Sequence, residues 1–152
     1  MQQEYTATVK KLEKHVFHSN QETTDDQLNR VGKKIFKKEW GGVYAEDDKL
    51  PLQYPYKYFI VNTDKANQEG THWTAVYADI QHKRIYIYDT FNRQLSKLLH
   101  DVEVNAHEKH FTVKKGSHKI HQKESQNDCG QRSMAWLMLV KKHSIDAVIK
   151  KL

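Results

Sequence analysis

Two spacings of apolar residues divide the chain. Leu28, Val31, Ile35 and Phe36 recur at helical intervals with lysines between them. They follow Thr23-Thr24-Asp25-Asp26, whose hydroxyls and acids suit a helix start, so the pattern predicts an amphipathic helix from Asp26 to Phe36. Met134, Trp136, Leu137 and Val140 mark a second and more apolar helix from Gly130 onward. Val9, Leu12, Val16 and Phe17 fit a short amphipathic helix that ends in Ser19-Asn20-Gln21-Glu22. Between these helices the spacing changes. Tyr56 to Asn62, Trp73 to Ile80 and Arg84 to Thr90 are rich in aromatic and β-branched residues, with Gly70 and Gln81-His82-Lys83 at the turns, and read as three strands of a meander. In Arg84-Ile85-Tyr86-Ile87-Tyr88-Asp89 the isoleucines face one side and the tyrosines the other, so this strand is expected to be covered on both faces.

The remaining stretches carry weaker patterns. Trp40-Gly41-Gly42-Val43-Tyr44 reads as a glycine turn into an extended segment in which neither glycine needs more than the turn, and Asp47 to Pro51 reads as a loop. Leu95, Leu98 and Leu99 suggest a helix, Glu103 to Val113 a returning strand or loop, and Ile120-His121-Gln122 a last short strand. The expected class is α+β: a small mixed β-sheet packed against a central helix.

Composition narrows the setting. A chain of 152 residues is most simply one domain, residues 1–152. The mean hydropathy of −0.88 is polar, yet aromatics make up 11% of the chain, enough bulky material for a core. No N-terminal apolar segment resembles a signal peptide, and no run approaches the ~20 residues of a membrane span. One cysteine excludes an intramolecular disulfide and fits a reducing compartment, so the expectation is a protein that is not secreted and not in a membrane. The formal charge of +6 comes mainly from scattered lysine pairs such as Lys33-Lys34 and Lys141-Lys142, which suggest a weak, salt-dependent attraction to DNA or RNA.

The chemistry gathers around the single cysteine. Ser125, Asn127 and Asp128 suit a helix cap, which puts Cys129 at a helix N-terminus, where unpaired N–H groups and the helix dipole lower a thiol pKa. A lone cysteine is more often a small buried hydrophobe, so a nucleophile here needs a base and an oriented partner for that base. With ten histidines, position has to select the base. His72 stands at the mouth of one predicted strand and Asp89 at the end of the next; read as hairpin neighbours the two fall at opposite strand ends, and contact would call for an offset or a crossing arrangement. The pairs His15/His18, His107/His110 and His118/His121 have a spacing seen in metal sites but lie in lysine-rich surroundings without cysteines, and no metal is expected.

Taken together, Gly70-Thr71-His72-Trp73, Ile87-Tyr88-Asp89-Thr90-Phe91 and Gln122-Lys123-Glu124-Ser125-Gln126-Asn127-Asp128-Cys129-Gly130 resemble the His-Trp, acid and Gln-to-Cys-Gly signature of the adenovirus-type cysteine proteases (adenain), relatives of the SUMO-specific proteases. The resemblance is strongest over 25–140. It implies Cys129 as nucleophile, His72 as base, Asp89 as the group orienting His72, and Gln122 as an oxyanion-hole donor beside the Cys129 N–H. Gln126 is the rival for the glutamine role, and spacing to Cys129 favours Gln122. Trp73 is expected to stack over the ion pair or to sit in the core, and Trp40, Gly42 and Trp73 are the candidate substrate-binding residues, with small residues, often glycine, beside the cut bond.

The function implied is cleavage of viral capsid or core precursor polypeptides during virion maturation, by a monomer in the host nucleus or the virion. The chemistry itself requires no cofactor. The alternatives are a deubiquitinase- or deSUMOylase-like isopeptidase, and a basic nucleic-acid-binding particle protein with an inactive triad. There are departures from the family: Asp89 stands where adenain has glutamate, and no second cysteine is present to tether an activating peptide. Activation by DNA or by a non-covalent peptide stays open.

Overall fold

The computed structural model describes residues 1–63, 72–95, 99–123 and 125–152. In chain order the elements are α1 (Gln2–Lys11), continued by a widened π-helical turn (Leu12–Val16); α2 (Asp25–Phe36); β1 (Trp40–Tyr44); β2 (Tyr58–Asn62); β3 (Trp73–Asp79); β4 (Arg84–Tyr88); α3 (His100–Glu108); β5 (Thr112–Lys115); α4 (Cys129–His143); and α5 (Ile145–Lys151). The strands form one five-stranded mixed sheet in the order β1-β2-β3-β4-β5. Its centre, β2-β3-β4, is the expected antiparallel meander, while β1 joins β2 and β5 joins β4 in parallel.

Helix α2 forms where the pattern placed it. The Thr24 hydroxyl accepts from the Gln27 N–H at 3.2 Å and the Gln27 side chain accepts from the Thr24 N–H at 2.9 Å, a capping box that satisfies two otherwise orphan donors. Its apolar stripe, Leu28 and Phe36 with Val31 and Ile35 beside them, turns onto the core. Alternation in β4 does what the sequence suggested. Tyr86 and Tyr88 enter the core under α1, α2 and α4, whereas Ile85 and Ile87 enter a second core under α3 with Leu50, Leu52, Val102 and Phe111. Helix α4 is the central one. Met134, Ala135, Trp136 and Leu137 are fully buried, and the Trp136 ring stacks on Tyr88 at 5.1 Å with 6° between the planes.

Several local expectations are corrected. The Trp40–Tyr44 stretch is a strand from its first residue, with a bulge between Trp40 and Gly42. Both glycines have a reason beyond a turn: a methyl on Gly41 would collide with the Phe59 ring, and Gly42 has φ +115°, which favours glycine. Residues 103–108 are helical, and of the expected return only Thr112 and Val113 are strand, the first half of β5. The helix suggested by Leu95, Leu98 and Leu99 runs into residues 96–98, which lie outside those described. Ile120-His121-Gln122 is irregular, held by the His121 N–H donating to the Thr90 carbonyl at 2.8 Å.

Candidate active site

The strand directions bring the C-terminal ends of β1, β2 and β4 and the start of β3 to one end of the sheet. The first turn of α4 lies there too, since the Trp73 N–H, at the start of β3, donates to Cys129 Sγ at 3.3 Å. Close approach fixes this corner. The Trp73 indole N–H donates to the Thr23 carbonyl at 3.0 Å, and a methyl on Gly130 would collide with the Thr23 hydroxyl, so the Cys-Gly pair meets a steric demand at the helix start.

His72 and Asp89 meet directly. Nε2 of His72 lies 2.6 Å from Asp89 Oδ1, and the sequence reading that set them at opposite strand ends does not hold. In an antiparallel pair the start of one strand lies beside the end of the next. The register of Ala75 with Tyr88, carried outward, sets Thr74 opposite Asp89 and His72 opposite Phe91, so His72 and Asp89 are diagonal neighbours on one face and meet without a crossing. Burial alone would raise the Asp89 carboxyl. Hydrogen bonds from His72 and Arg93 outweigh it and hold the group well below the usual carboxylate range. Arg93 contributes Nε at 3.0 Å and its backbone N–H at 2.9 Å, both to Oδ2. An ionised carboxylate only accepts, so His72 Nε2 is the donor in this bond and Nδ1 is the ring nitrogen that Asp89 does not engage.

Cys129 is 4% exposed at the first position of α4. Contrary to the expectation from a helix N-terminus, its thiol is pushed up: burial outweighs the N–H groups of Trp73 and Gly130, and the charge of Asp128 adds to the rise. Forming a thiolate there needs a cationic neighbour. His72 is the chain neighbour of Trp73, the residue bonded to Sγ. Asp128 precedes the helix without capping it through its side chain; its carboxylate is taken by Arg132 at 2.9 Å.

Gln122 is buried and held at both ends of its amide. Oε1 accepts from the Thr90 hydroxyl at 2.6 Å and Nε2 donates to the Gln126 carbonyl at 2.6 Å, which leaves one amide hydrogen uncommitted by these bonds. Gln126 turns its own side chain onto the Lys123 N–H at 2.8 Å. His121, next to Gln122, is pushed down to about 4 by burial, with Arg132 and Lys119 adding to the effect, and its Nδ1 shares a hydrogen bond with the Tyr88 hydroxyl at 2.9 Å. It stays neutral near pH 7. His15, His18, His107, His110 and His118 are exposed, and among the described residues no three metal-ligating side chains assemble.

The expected groove residues divide. Trp73 lines a cleft of about 600 Å³ together with Thr23, Val43, Tyr44 and Asn62. Trp40 does not line it: its ring is buried against Phe36, with the indole N–H donating to Asn29 at 2.8 Å. Gly42 is passed over in favour of Val43 and Tyr44. Of the two places expected for Trp73 it takes the core; the ring beside His72 is Phe91, with centroids 4.9 Å apart, and Arg93 lies over its face. The sequence assigned no role to Arg93, and to Phe91 only a place in the protease-like signature, although both follow Asp89 within the turn that closes on it.

Behind the site, Glu13 faces Asp128. Burial and the neighbouring Asp128 carboxyl raise Glu13 from its ordinary 4.5 to about 7. The folded state therefore holds this proton more tightly than the unfolded chain, and stability falls as pH rises from about 4.5 through 7. Glu13→Gln is expected to match the parent at pH 4 in thermal melting and to melt a few degrees higher at pH 8. Equal melting temperatures at pH 8 would contradict this.

No family model matches the chain, and no curated protein matches it. Among solved structures, the selenomethionine crystal structure of the ASFV pS273R protease is similar with a TM-score of 0.42 and 20% identity, over 81% of this chain and 47% of that one. The chain thus spans about half the length of that protease.

Proposed function

We propose that the chain is a cysteine endopeptidase in which Cys129 is the nucleophile, His72 the base, Asp89 the group orienting His72, and Gln122 with the Cys129 N–H the oxyanion hole. The observation that carries this reading is the 2.6 Å His72–Asp89 pair, one residue away from the Trp73 N–H that holds the sulfur of a cysteine at a helix start. His72 Nδ1 takes the thiol proton and the thiolate attacks the peptide carbonyl. The oxyanion formed is met by the Cys129 N–H and the uncommitted Gln122 amide hydrogen. The imidazolium then gives its proton to the leaving amine, and water hydrolyses the thioester. None of these steps draws on a cofactor.

An extended polypeptide would enter along the cleft by Val43, Tyr44 and Trp73. The low exposure of Cys129 favours small residues beside the cut bond, glycine above all. The substrates proposed are viral precursor polypeptides, with DNA contacts through the lysine pairs as a secondary, salt-sensitive interaction.

The test is turnover of a fluorogenic peptide carrying Gly-Gly before a coumarin leaving group. Gln122→Ala is expected to lower kcat by ~10²–10³-fold, the usual loss for one oxyanion donor, while Gln126→Ala stays within a few fold of the parent. A dead Gln126→Ala beside an active Gln122→Ala would reverse the glutamine assignment. A parent that cleaves only a ubiquitin-like fusion, and never the short peptide, would move the substrate class to protein modifiers.

A further inference from the structure

Arg132 lies one turn into α4 and takes no part in the chemistry above. Its side chain reaches back past the helix start. Nε donates to Asp128 Oδ1 at 2.9 Å and Nη1 donates to the His121 carbonyl at 2.5 Å, while its backbone N–H donates to the Asp128 carbonyl at 3.0 Å. The Tyr5 hydroxyl lies against the same guanidinium. Asp128 is the chain neighbour of Cys129, and His121 is the chain neighbour of Gln122. One side chain therefore ties the residue before the nucleophile to the residue before the oxyanion donor.

We infer that Arg132 is a positioning residue that sets the spacing between the Cys129 N–H and the Gln122 amide, an inference that rests on the protease reading of this site. The segment between them needs such a tie. Among its described residues three bonds are local: Gln122 Nε2 to the Gln126 carbonyl, Lys123 N–H to the Gln126 side chain, and Gln126 N–H to the Lys123 carbonyl. These tie Gln122, Lys123 and Gln126 to one another, and none of the three bonds reaches α4. Thr90 holds Gln122 from the β4 side, and Arg132 holds His121 from the helix side. A planar fork of diverging donors spans two acceptors seven positions apart in sequence; a lysine ammonium brings the charge without the fork. Oxyanion donors act only at a narrow range of positions, and a displacement of ~1 Å costs about 10²-fold in rate.

The test compares two reagents for the single thiol, so that no natural substrate is needed. Acylation by p-nitrophenyl acetate forms the S–C bond through a tetrahedral oxyanion and expels p-nitrophenolate; alkylation by iodoacetamide displaces iodide at a saturated carbon and makes no oxyanion. Arg132→Lys is expected to slow acylation by about tenfold or more, up to the ~10²-fold of a misplaced donor, and to leave the alkylation rate and its pH profile within about twofold of the parent. In a Gln122→Ala background, where the donor is already gone, adding Arg132→Lys should cost less than about threefold further in acylation.

Equal losses from Arg132→Lys in both backgrounds, or a parallel loss in alkylation, would overturn the inference and leave Arg132 as a fold contact. No effect of Gln122→Ala on acylation would sink the oxyanion reading itself, and this inference with it. Should Arg132→Lys melt below the assay temperature, Asp128→Asn weakens one arm of the clamp while keeping its acceptor. The same dependence on Gln122 is then expected on a smaller scale, and its absence would overturn the inference equally.

Discussion

Asp89→Asn is expected to lower kcat by ~10⁴-fold with the fold intact, the scale seen when a histidine base loses the carboxylate that sets its tautomer. Asp89 accepts from His72 Nε2, and in the proposed mechanism the other nitrogen, Nδ1, takes the thiol proton. An asparagine can present its NH₂ to Nε2 instead, and the imidazole proton then moves to Nδ1. A base with its working nitrogen already protonated takes no proton. The substitution also removes the charge that stabilises the imidazolium and that Arg93 pairs with at 3.0 Å, so the thiolate loses its cationic partner as well. The measurement is kcat and KM for the Gly-Gly coumarin peptide, alongside the melting temperature. A loss below about tenfold in kcat would mean that Asp89 is a structural ion pair with Arg93 rather than part of the chemistry. Arg93 offers a control, because removing it leaves the Asp89–His72 bond in place and is expected to cost far less.

The second large effect is on stability. Trp136→Ala is expected to destabilise the fold by ~3–5 kcal/mol, the usual cost of emptying a large aromatic site in a core. Trp136 is fully buried, stacks on Tyr88, donates its indole N–H to the Gly116 carbonyl at 3.3 Å, and packs so closely on Gly116 that a methyl there would strike its ring. Little around it is free to collapse into the space. The melting temperature should fall by ~10 °C at the 2–4 °C per kcal/mol typical of a chain this long. The damage should also reach the site, since Tyr88 holds His121 and, through its own hydroxyl, Tyr5 at 2.7 Å. Chemical denaturation of the variant checks the first figure, and a loss under about 1 kcal/mol would show that the core at Trp136 repacks.

What could be read from the sequence was whatever rests on short-range pattern. Helix α2 showed its cap and its stripe within a dozen residues, the meander showed aromatic and β-branched runs between turns, and Cys129 announced its helix start through the polar stretch before it and the apolar run after it. His72 and Asp89 were visible as residue types at strand ends, and their contact follows from the hairpin register.

What stayed hidden depends on contacts between distant segments. Trp40 looked like a groove residue because it precedes two glycines, yet its ring is claimed by Phe36 and Asn29 of the preceding helix. Helix α3 was missed because only Val102 and Ala106 among its apolar residues are fully buried, too thin a stripe to register as a period. Arg132 looked like one more charge on an apolar helix, and its reach back to His121 exists only once α4 and the irregular segment pack together. The thiol pKa is the clearest case: the helix start argues for a lowered value, but burial, which no local pattern reveals, reverses the direction.

That reversal sharpens the decisive experiment, the pH dependence of iodoacetamide alkylation at the single thiol in the parent and in His72→Ala. Burial raises the thiol, and in the proposed mechanism a proton passed to His72 is what keeps a thiolate at low pH. The account predicts a parent that reacts well below pH 7, and a His72→Ala protein whose reactivity appears only above the ~8.5 of an ordinary cysteine. A parent thiol that titrates at or above ~8.5 and is unmoved by His72→Ala would contradict the ion pair and leave Cys129 a buried structural residue.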